Sequence, residues 1–335
     1  MNEPVRLLVL GAVPWIRTQA LYHALAKLMT EDTPDTLLLM RPQEPYVCIG
    51  YHQSLSAVID RDACRAAGLP IVRRRVGGGA TYLDSHQQFY QCIFHHKRLP
   101  DRVSEVYAQL LRAPVAVLQK LGLQAELRDG NEIEVDGRRI AGVGGGRIGE
   151  AVVVVGNILL DFDYEMMARI WRVPSEDFRR LAYEAMQRRI TTLWSSLSQP
   201  ASPISADEVQ AHLAAAYSLA LHRPVVPGSL TNAERAKTAE MEAQLVSEEW
   251  LHLHAQETDE PMQHLKISLD AFVHAGEARL NGMLIDGIFF ARHGMIEQAI
   301  VTCDLPEVKR RLLENRLVGV PLNRWRDVVI EYAVQ

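Results

Sequence analysis

The chain has 335 residues, 48% hydrophobic and 23% charged, with a formal net charge of −5 at pH 7. That composition excludes disordered and collagen-like classes, and basic residues dispersed outside Arg73 to Arg75 argue against a nucleic-acid surface. Cys48, Cys64, Cys92 and Cys303 lie far apart with no CxxC pair, which indicates neither a disulfide framework nor a structural zinc and fits a reducing cytoplasm.

The opening "MNEPVRLLVLGAVPW" is too charged and proline-bearing for a signal segment, and no run approaches the roughly 20 apolar residues of a membrane span, so a soluble cytoplasmic protein is expected. Apolar spacing from Thr18 to Met29 predicts a helix, followed by short strands at "DTLLLMR" and "PYVCIGY". "DRDACRAAGLPIVRRR" reads as a helix stopped at Gly68 and a strand that delivers three arginines into a glycine turn. "HQQFYQCIFHH" is extended, and "VSEVYAQLLRAPVAVLQKLGL" is one long amphipathic helix ending at Gly122. "EIEVDGRRIAG" and "EAVVVVGNILLDFD" are strand-like, the first with an Asp136-Gly137 hairpin signal.

From Tyr164 to about Trp250 the pattern is helical, with capping-box spacing at Ser205/Glu208 and Thr231/Glu234. The charged stretch "HAQETDEP" then marks a domain boundary, giving domains 1–254 and 255–335. The second alternates in "HLKISLDAF", "GEARLNGMLIDG" and "MIEQAIVTCD", closes with a helix near Glu307 to Glu314, and so combines strands with one or two helices. The Met166-Met167 and Trp171 cluster is expected to be helix packing, and "RRLAYEAMQRRI" a solvated helix face. His95-His96 and the His252/His254 pair lack acidic or cysteine partners at matching spacing, so they are expected to be solvated histidines and no metal is expected.

"RRRVGGGATYLD", Arg73 to Asp84, carries the chemistry. Backbone N–H groups in a glycine turn form an anion-binding concavity, and guanidinium groups are fixed cationic forks for phosphate or carboxylate. No Walker A or GxGxxG spacing is present. A tight turn with surface arginines is the plain alternative. "DGRRIAGVGGGR", Asp136 to Arg147, repeats the pairing of charge and glycine, which puts two loops at one end of a sheet where they can close on a single anion.

"IVRRRVGGGATYLD" resembles the signature of the lipoate–protein ligase and biotin ligase superfamily, an Arg-Arg pair before a Gly-Gly-Gly-Ala turn and a late Asp. "GNEIEVDGRRIAG" resembles its second motif, an Asn-Asp, a strand and a Gly-Arg-Lys-Ile-Ser/Ala-Gly turn. With "EPYVCIGYHQ", "RRITTLWSSL" and "SEEW" in order, the resemblance to lipoate–protein ligases spans nearly the whole chain, the last eighty residues matching their accessory domain. It implies an α+β fold: a mixed sheet flanked by helices plus a small α+β C-terminal domain.

The implied activity joins lipoate to ATP, with Mg2+, as lipoyl-AMP and passes the lipoyl group to a lysine of a carrier, an H-protein-like or E2 lipoyl domain. By motif position Arg74 would contact the carboxylate or phosphate, and Gly77, Gly78, Gly79, Ala80, Thr81 and Tyr82 would line the pocket. Asn131 would face the adenine, and Gly142 would belong to the second loop. The residues depart from the pattern at Arg139, where the family has lysine, and at Val154 and Val155, where ligases often carry histidines. Arg139 and Arg74 are the candidate catalytic cations. Related octanoyltransferases use a cysteine thiolate instead of ATP, but no cysteine stands just before the Asn131 strand or in the second glycine cluster. The same motifs would also suit a biotin ligase, or a non-catalytic homologue that holds a lipoylated carrier.

Overall fold

The computed structural model describes residues 3–197, 204–254, 260–280 and 282–332. The chain divides into two compact units, Met1–Leu55 with Arg61–Asp163 and Thr191–Gln256, and Ser56–Asp60 with Tyr164–Ile190 and Glu257–Gln335. The stretch read from sequence as a boundary runs through 255–259, outside the described residues.

The strands of the first unit are β1 (Val5–Val13), β2 (Thr36–Pro42), β3 (Tyr46–Ile49), β4 (Ile71–Arg73), β5 (Thr81–Leu83), β6 (Gln87–His95), β7 (Ala125–Arg128), β8 (Glu132–Val135), β9 (Arg138–Ile148), β10 (Ala151–Leu159) and β11 (Val225–Pro227). Eight of them form a mixed sheet in the order β11-β1-β2-β6-β10-β9-β8-β7, and three form a small sheet, β4-β3-β5. Both faces of the large sheet are covered. On β2, Leu37 and Leu39 join the core that includes Leu110, Val117, Leu213 and Tyr217, while Leu38 and Met40 join the opposite core with Leu21, Leu25 and Met241. Burial on both faces is why "TLLLM" is continuously apolar instead of alternating.

Four expectations are corrected. First, the chain opens with a strand, β1, before the helix Arg17–Lys27. Its apolar run is interrupted by a register shift between Val9 and Gly11, where Gly11 takes φ +64, so the alternation that would mark a strand is broken. Second, the long helix is two, Val103–Leu110 and Arg112–Lys120. Pro114 has no N–H to give the carbonyl of Leu110 and its ring crowds that carbonyl, which breaks the ladder there. Third, the second glycine cluster is not a loop at a sheet end: Gly142, Gly144, Gly145 and Gly146 lie within β9, inside the large sheet. Fourth, His95 is buried and not solvated.

Other readings agree with the structure. Asp136 and Gly137 adopt φ +51 and +70 in a tight hairpin between β8 and β9, and Gly122 ends its helix region at φ +89. Both capping boxes form, at Ser205/Glu208 and Thr231/Glu234.

The second unit holds β12 (His264–Lys266), β13 (Ala271–Leu280), β14 (Met283–Arg292) and β15 (Met295–Thr302) in an antiparallel sheet of that order. Helices Glu307–Leu317 and Trp325–Tyr332 cover it through Leu313, Leu317, Trp325 and Val329. The helix Glu176–Arg189 buries Phe178, Leu181, Ala185 and Met186, and Asp270 pairs with Arg189 and Arg292 at 3.2 and 3.1 Å. Met167 and Trp171 are buried, as helix packing requires. No helix of the described residues is long and apolar enough to cross a membrane.

Candidate functional site

The triple arginine divides its labour by strand alternation and turn geometry. Arg73, last residue of β4, is fully buried and donates to the carbonyls of Gly50, Tyr51, Gln53, Trp250 and Leu251. Two of those carbonyls stand at the C-terminal end of the helix Glu248–Leu251, the partially negative end that a cation stabilises. The indole Nε1 of Trp250 returns a 3.0 Å bond to the Arg73 carbonyl.

Arg74 turns the other way and braces the glycine turn from within. Its Nε and terminal nitrogens donate to Gly77 O at 3.1 and 2.8 Å, to Gly79 O at 2.8 Å and to Cys48 O at 3.2 Å. The turn needs its glycines: Gly78 has φ +99, and a Cβ on Gly50, beneath it, would stand 1.9 Å from the Gly78 carbonyl.

Arg75 lies over the Trp250 ring, its guanidinium carbon 4.6 Å from the centroid. Its backbone N–H donates to His23 Nε2 at 3.0 Å, so the ring carries its proton on Nδ1, which donates to Gln19 O at 2.6 Å. Burial pushes the His23 pKa down to about 3, against the pull of the Gln19 hydrogen bond. His23 therefore ties the helix Arg17–Lys27 to the arginine turn as a neutral ring. Sequence reasoning missed it, because a lone histidine inside an apolar helix carries no distinguishing signal.

The turn lies against the glycines of β9. A Cβ on Gly144 would be 3.7 Å from Gly77 O, and one on Gly146 3.9 Å from Val76. On the other side of the strand, a Cβ on Gly145 would meet Tyr107 Oη at 2.6 Å. The two glycine motifs, some sixty residues apart, thus meet in space. A second link runs from Gly142, where an added Cβ would stand 3.4 Å from Asn157 Oδ1, through the hydrogen bond from Asn157 Nδ2 to Gln87 Oε1 and on to Tyr82 O, 3.2 Å from Gln87 Nε2. Ala80 and Thr81 lead from the turn into β5, and Tyr82 is buried beside Asp84. Burial, then the nearby carboxylates of Asp84 and Asp163, push the Tyr82 hydroxyl up to about 12, so it remains a protonated donor at neutral pH.

Arg139 of β9 is paired in register with Glu134 of β8, and its Nε is 3.5 Å from Glu132 Oε1. That nitrogen is buried without a hydrogen bond, so the ion pair holds the fork loosely. Glu134, almost fully buried, is instead held by Arg128 at 3.1 Å. Asn131 is half-buried in the turn just before Glu132. The structure thus brings Arg74, Gly77 to Tyr82 and Gly142 into one connected region, with Arg139 and Asn131 on the adjoining β8–β9 hairpin.

No thiol among the described residues is poised as a nucleophile in this region. Cys48, Cys64 and Cys92 are buried. Burial raises the pKa of Cys48, although Arg74, 3.5 Å from its sulfur, pulls the other way, and burial pushes Cys92 up to about 12.

The family described as the lipoyl protein ligase A/B catalytic domain matches residues 16–218. Octanoyltransferase LipM of Symbiobacterium thermophilum is 30% identical over 272 residues, 74% of this chain and 96% of that protein. The bi-partite lipoate protein ligase of Thermoplasma acidophilum, solved in a study that includes its E2 lipoyl domain, superposes with a TM-score of 0.69 at 23% identity, covering 77% of this chain and 99% of that one. A lipoate-protein ligase A structure bound with ATP gives 0.63 at 22% identity, covering 76% and 100%. At those identities the structural likeness is one of fold. The chain belongs to the lipoyl protein ligase A/B catalytic-domain family.

Proposed function

We propose that the chain is an ATP-dependent acyl–protein ligase of the lipoate type, which activates a lipoate-class carboxylate as its adenylate and transfers the acyl group to a carrier lysine. The observation that carries this reading is the donor set where the glycine motifs meet. It consists of glycine backbone braced by Arg74 and, on the adjoining hairpin, the Arg139 guanidinium held only by a carboxylate that an anion can replace, with the neighbouring thiol, Cys48, buried and raised in pKa. Joining a carboxylate to a nucleotide demands fixed cations and N–H donors to offset the repulsion of two anions and no protein nucleophile. Such a donor set fits a polyphosphate, and Mg2+ would arrive on the triphosphate to neutralise the charge that develops there.

In the first half-reaction a carboxylate oxygen bonds to the α-phosphorus and pyrophosphate leaves. In the second the carrier's ε-amine bonds to the acyl carbon, AMP leaves and the amine gives up a proton. Arg139 is assigned the cation that bridges carboxylate and α-phosphate, drawn away from Glu132 when the anion arrives. Arg74 is assigned the shape of the turn, since direct contact with the substrate would require it to release a carbonyl of Gly77 or Gly79. Asn131 is assigned the adenine edge. An H-protein-like or E2 lipoyl domain is the proposed carrier.

One observation favours a second reading: the 30% identical relative is named an octanoyltransferase. A carrier-to-carrier transferase working through an acyl thioester needs an accessible thiolate, which Cys48 and Cys92 do not supply in this conformation. Intact-mass analysis of a carrier domain separates the two. The ligase raises the carrier's mass and releases pyrophosphate only with ATP and lipoate together. Consumption of an octanoylated donor without ATP, and no mass gain from free lipoate, would replace it with the transferase.

A further inference from the structure

His95 ends β6, His96 follows it, and Glu150 sits at the turn of the β9–β10 hairpin. Pairing of β6 with β10 sets Ala151 opposite His95, and the His96 N–H donates to the Glu150 carbonyl at 3.0 Å, so the backbone fixes all three side chains at one place. His96 Nε2 is 2.9 Å and His95 Nε2 3.8 Å from Glu150 Oε2, and the three atoms all lie within 4.8 Å of one another. The His95 side chain is only 2% exposed, and its Nε2 is buried without a hydrogen-bond partner. A buried polar nitrogen left unpaired is costly and calls for an occupant.

We propose that His95, His96 and Glu150 bind a zinc-class divalent cation. Bonds of about 2.0–2.2 Å in a tetrahedral shell set ligand atoms roughly 3.3–3.5 Å apart; the two histidine-to-carboxylate separations, 2.9 and 3.8 Å, bracket that value, and the two imidazoles, stacked with centroids 4.8 Å apart, turn toward the ion to complete the set. Two imidazoles and one carboxylate select a borderline transition ion over Mg2+ or Ca2+, which prefer oxygen throughout. Arg147 lies 3.7 Å from Glu150 Oε1 and steadies the carboxylate through that oxygen, leaving Oε2 to the ion. Lys97, next in sequence to His96, is paired with Glu31. Coordination through Nε2 leaves any ring proton of His95 on Nδ1, at the cost of the long 3.3 Å bond that Nδ1 accepts from the Lys97 N–H. Glu150 is half exposed, so water takes the fourth position. The ion ties the end of β6 to the hairpin whose β9 strand floors the glycine site. None of this rests on the proposed reaction.

The test uses the full chain, stripped with a chelator and dialysed, then titrated with Zn2+ by calorimetry and with Co2+ by visible absorption. The expected result is a single equivalent of Zn2+, the intense visible bands of four-coordinate Co2+, and a rise in melting temperature with added Zn2+. His96→Ala and Glu150→Gln are each expected to weaken binding by about 100-fold or more, since even outer-shell changes cost 10–100-fold. Both side chains reach solvent, so the metal-free melting temperatures of these variants report that the fold is kept. His95 stays intact, because truncating it would open a cavity at the end of β6. Weak uptake of several equivalents, or single-site binding that neither substitution changes, overturns the site.

Discussion

The arginine turn and the glycine strand use the same residues for opposite purposes. In the turn, glycine supplies a positive φ at Gly78, and Arg73 and Arg74 are consumed by carbonyls of the chain itself. In β9, glycine supplies only the absence of a side chain: Gly145 leaves room for Tyr107, whose hydroxyl would stand 2.6 Å from an added Cβ. There the cation, Arg139, is held by a neighbouring carboxylate and not by backbone. A run of arginines beside glycines is therefore no measure of anion-binding capacity. What matters is whether each guanidinium is already enclosed by carbonyls, as Arg73 is, or faces an anion that a substrate can replace.

The sharpest break of this contrast is Arg73→Met. It is expected to destabilise the fold by about 3–5 kcal/mol, because several buried carbonyls each lose a charged donor worth roughly 1.5–3 kcal/mol. A lowered urea midpoint checks it. An unchanged midpoint would mean that Arg73 does not support the turn.

Next comes Arg139→Ala, expected to slow adenylate formation by about 2–4 kcal/mol in barrier with little change in melting temperature, and Arg139→Lys to recover part of that rate. Arg138→Ala should be mild, since neighbouring strand residues point to opposite faces. Equal small effects at both positions on pyrophosphate release would take the cation's role away from this hairpin.

The third effect depends on pH. The folded-state pKa of His23 is depressed to about 3, below its unfolded value, so its contribution to stability is present above about pH 6.5 and declines as pH falls toward 3. The loss amounts to about 2 kcal/mol by pH 5. Urea midpoints measured from pH 7.5 to 5 should fall steeply for the parent and much less for His23→Gln. Parallel slopes would show that His23 is not the titrating tether.

The smallest effects compare the glycines themselves. Gly50→Ala drives a methyl into the Gly78 carbonyl and is expected to cost about 1–3 kcal/mol, whereas Gly144→Ala meets only ordinary contacts and should stay within about 1 kcal/mol of the parent. Thermal melts of the two variants decide it, and the reverse order would show that the turn gives way more readily than the strand.

Much of this protein is determined by sequence alone, because local chemistry suffices for it. The Asp136-Gly137 hairpin follows from which residues tolerate positive φ, the two capping boxes from the reach of a serine or threonine oxygen to the third amide, and the paired motifs from their order of arginines and glycines. Tertiary structure decided the rest, wherever function depends on partners distant in the chain. Arg73 is structural because carbonyls 177 and 178 residues away close over it, and the second glycine cluster is a strand because β9 pairs with β8 and β10, with Tyr107 seated on its bare face at Gly145. His95 is buried beside Glu150 because β6 pairs with β10. Spacing along a chain cannot reveal such meetings, since strand pairing between remote segments is set by which surfaces the whole core can bury at once.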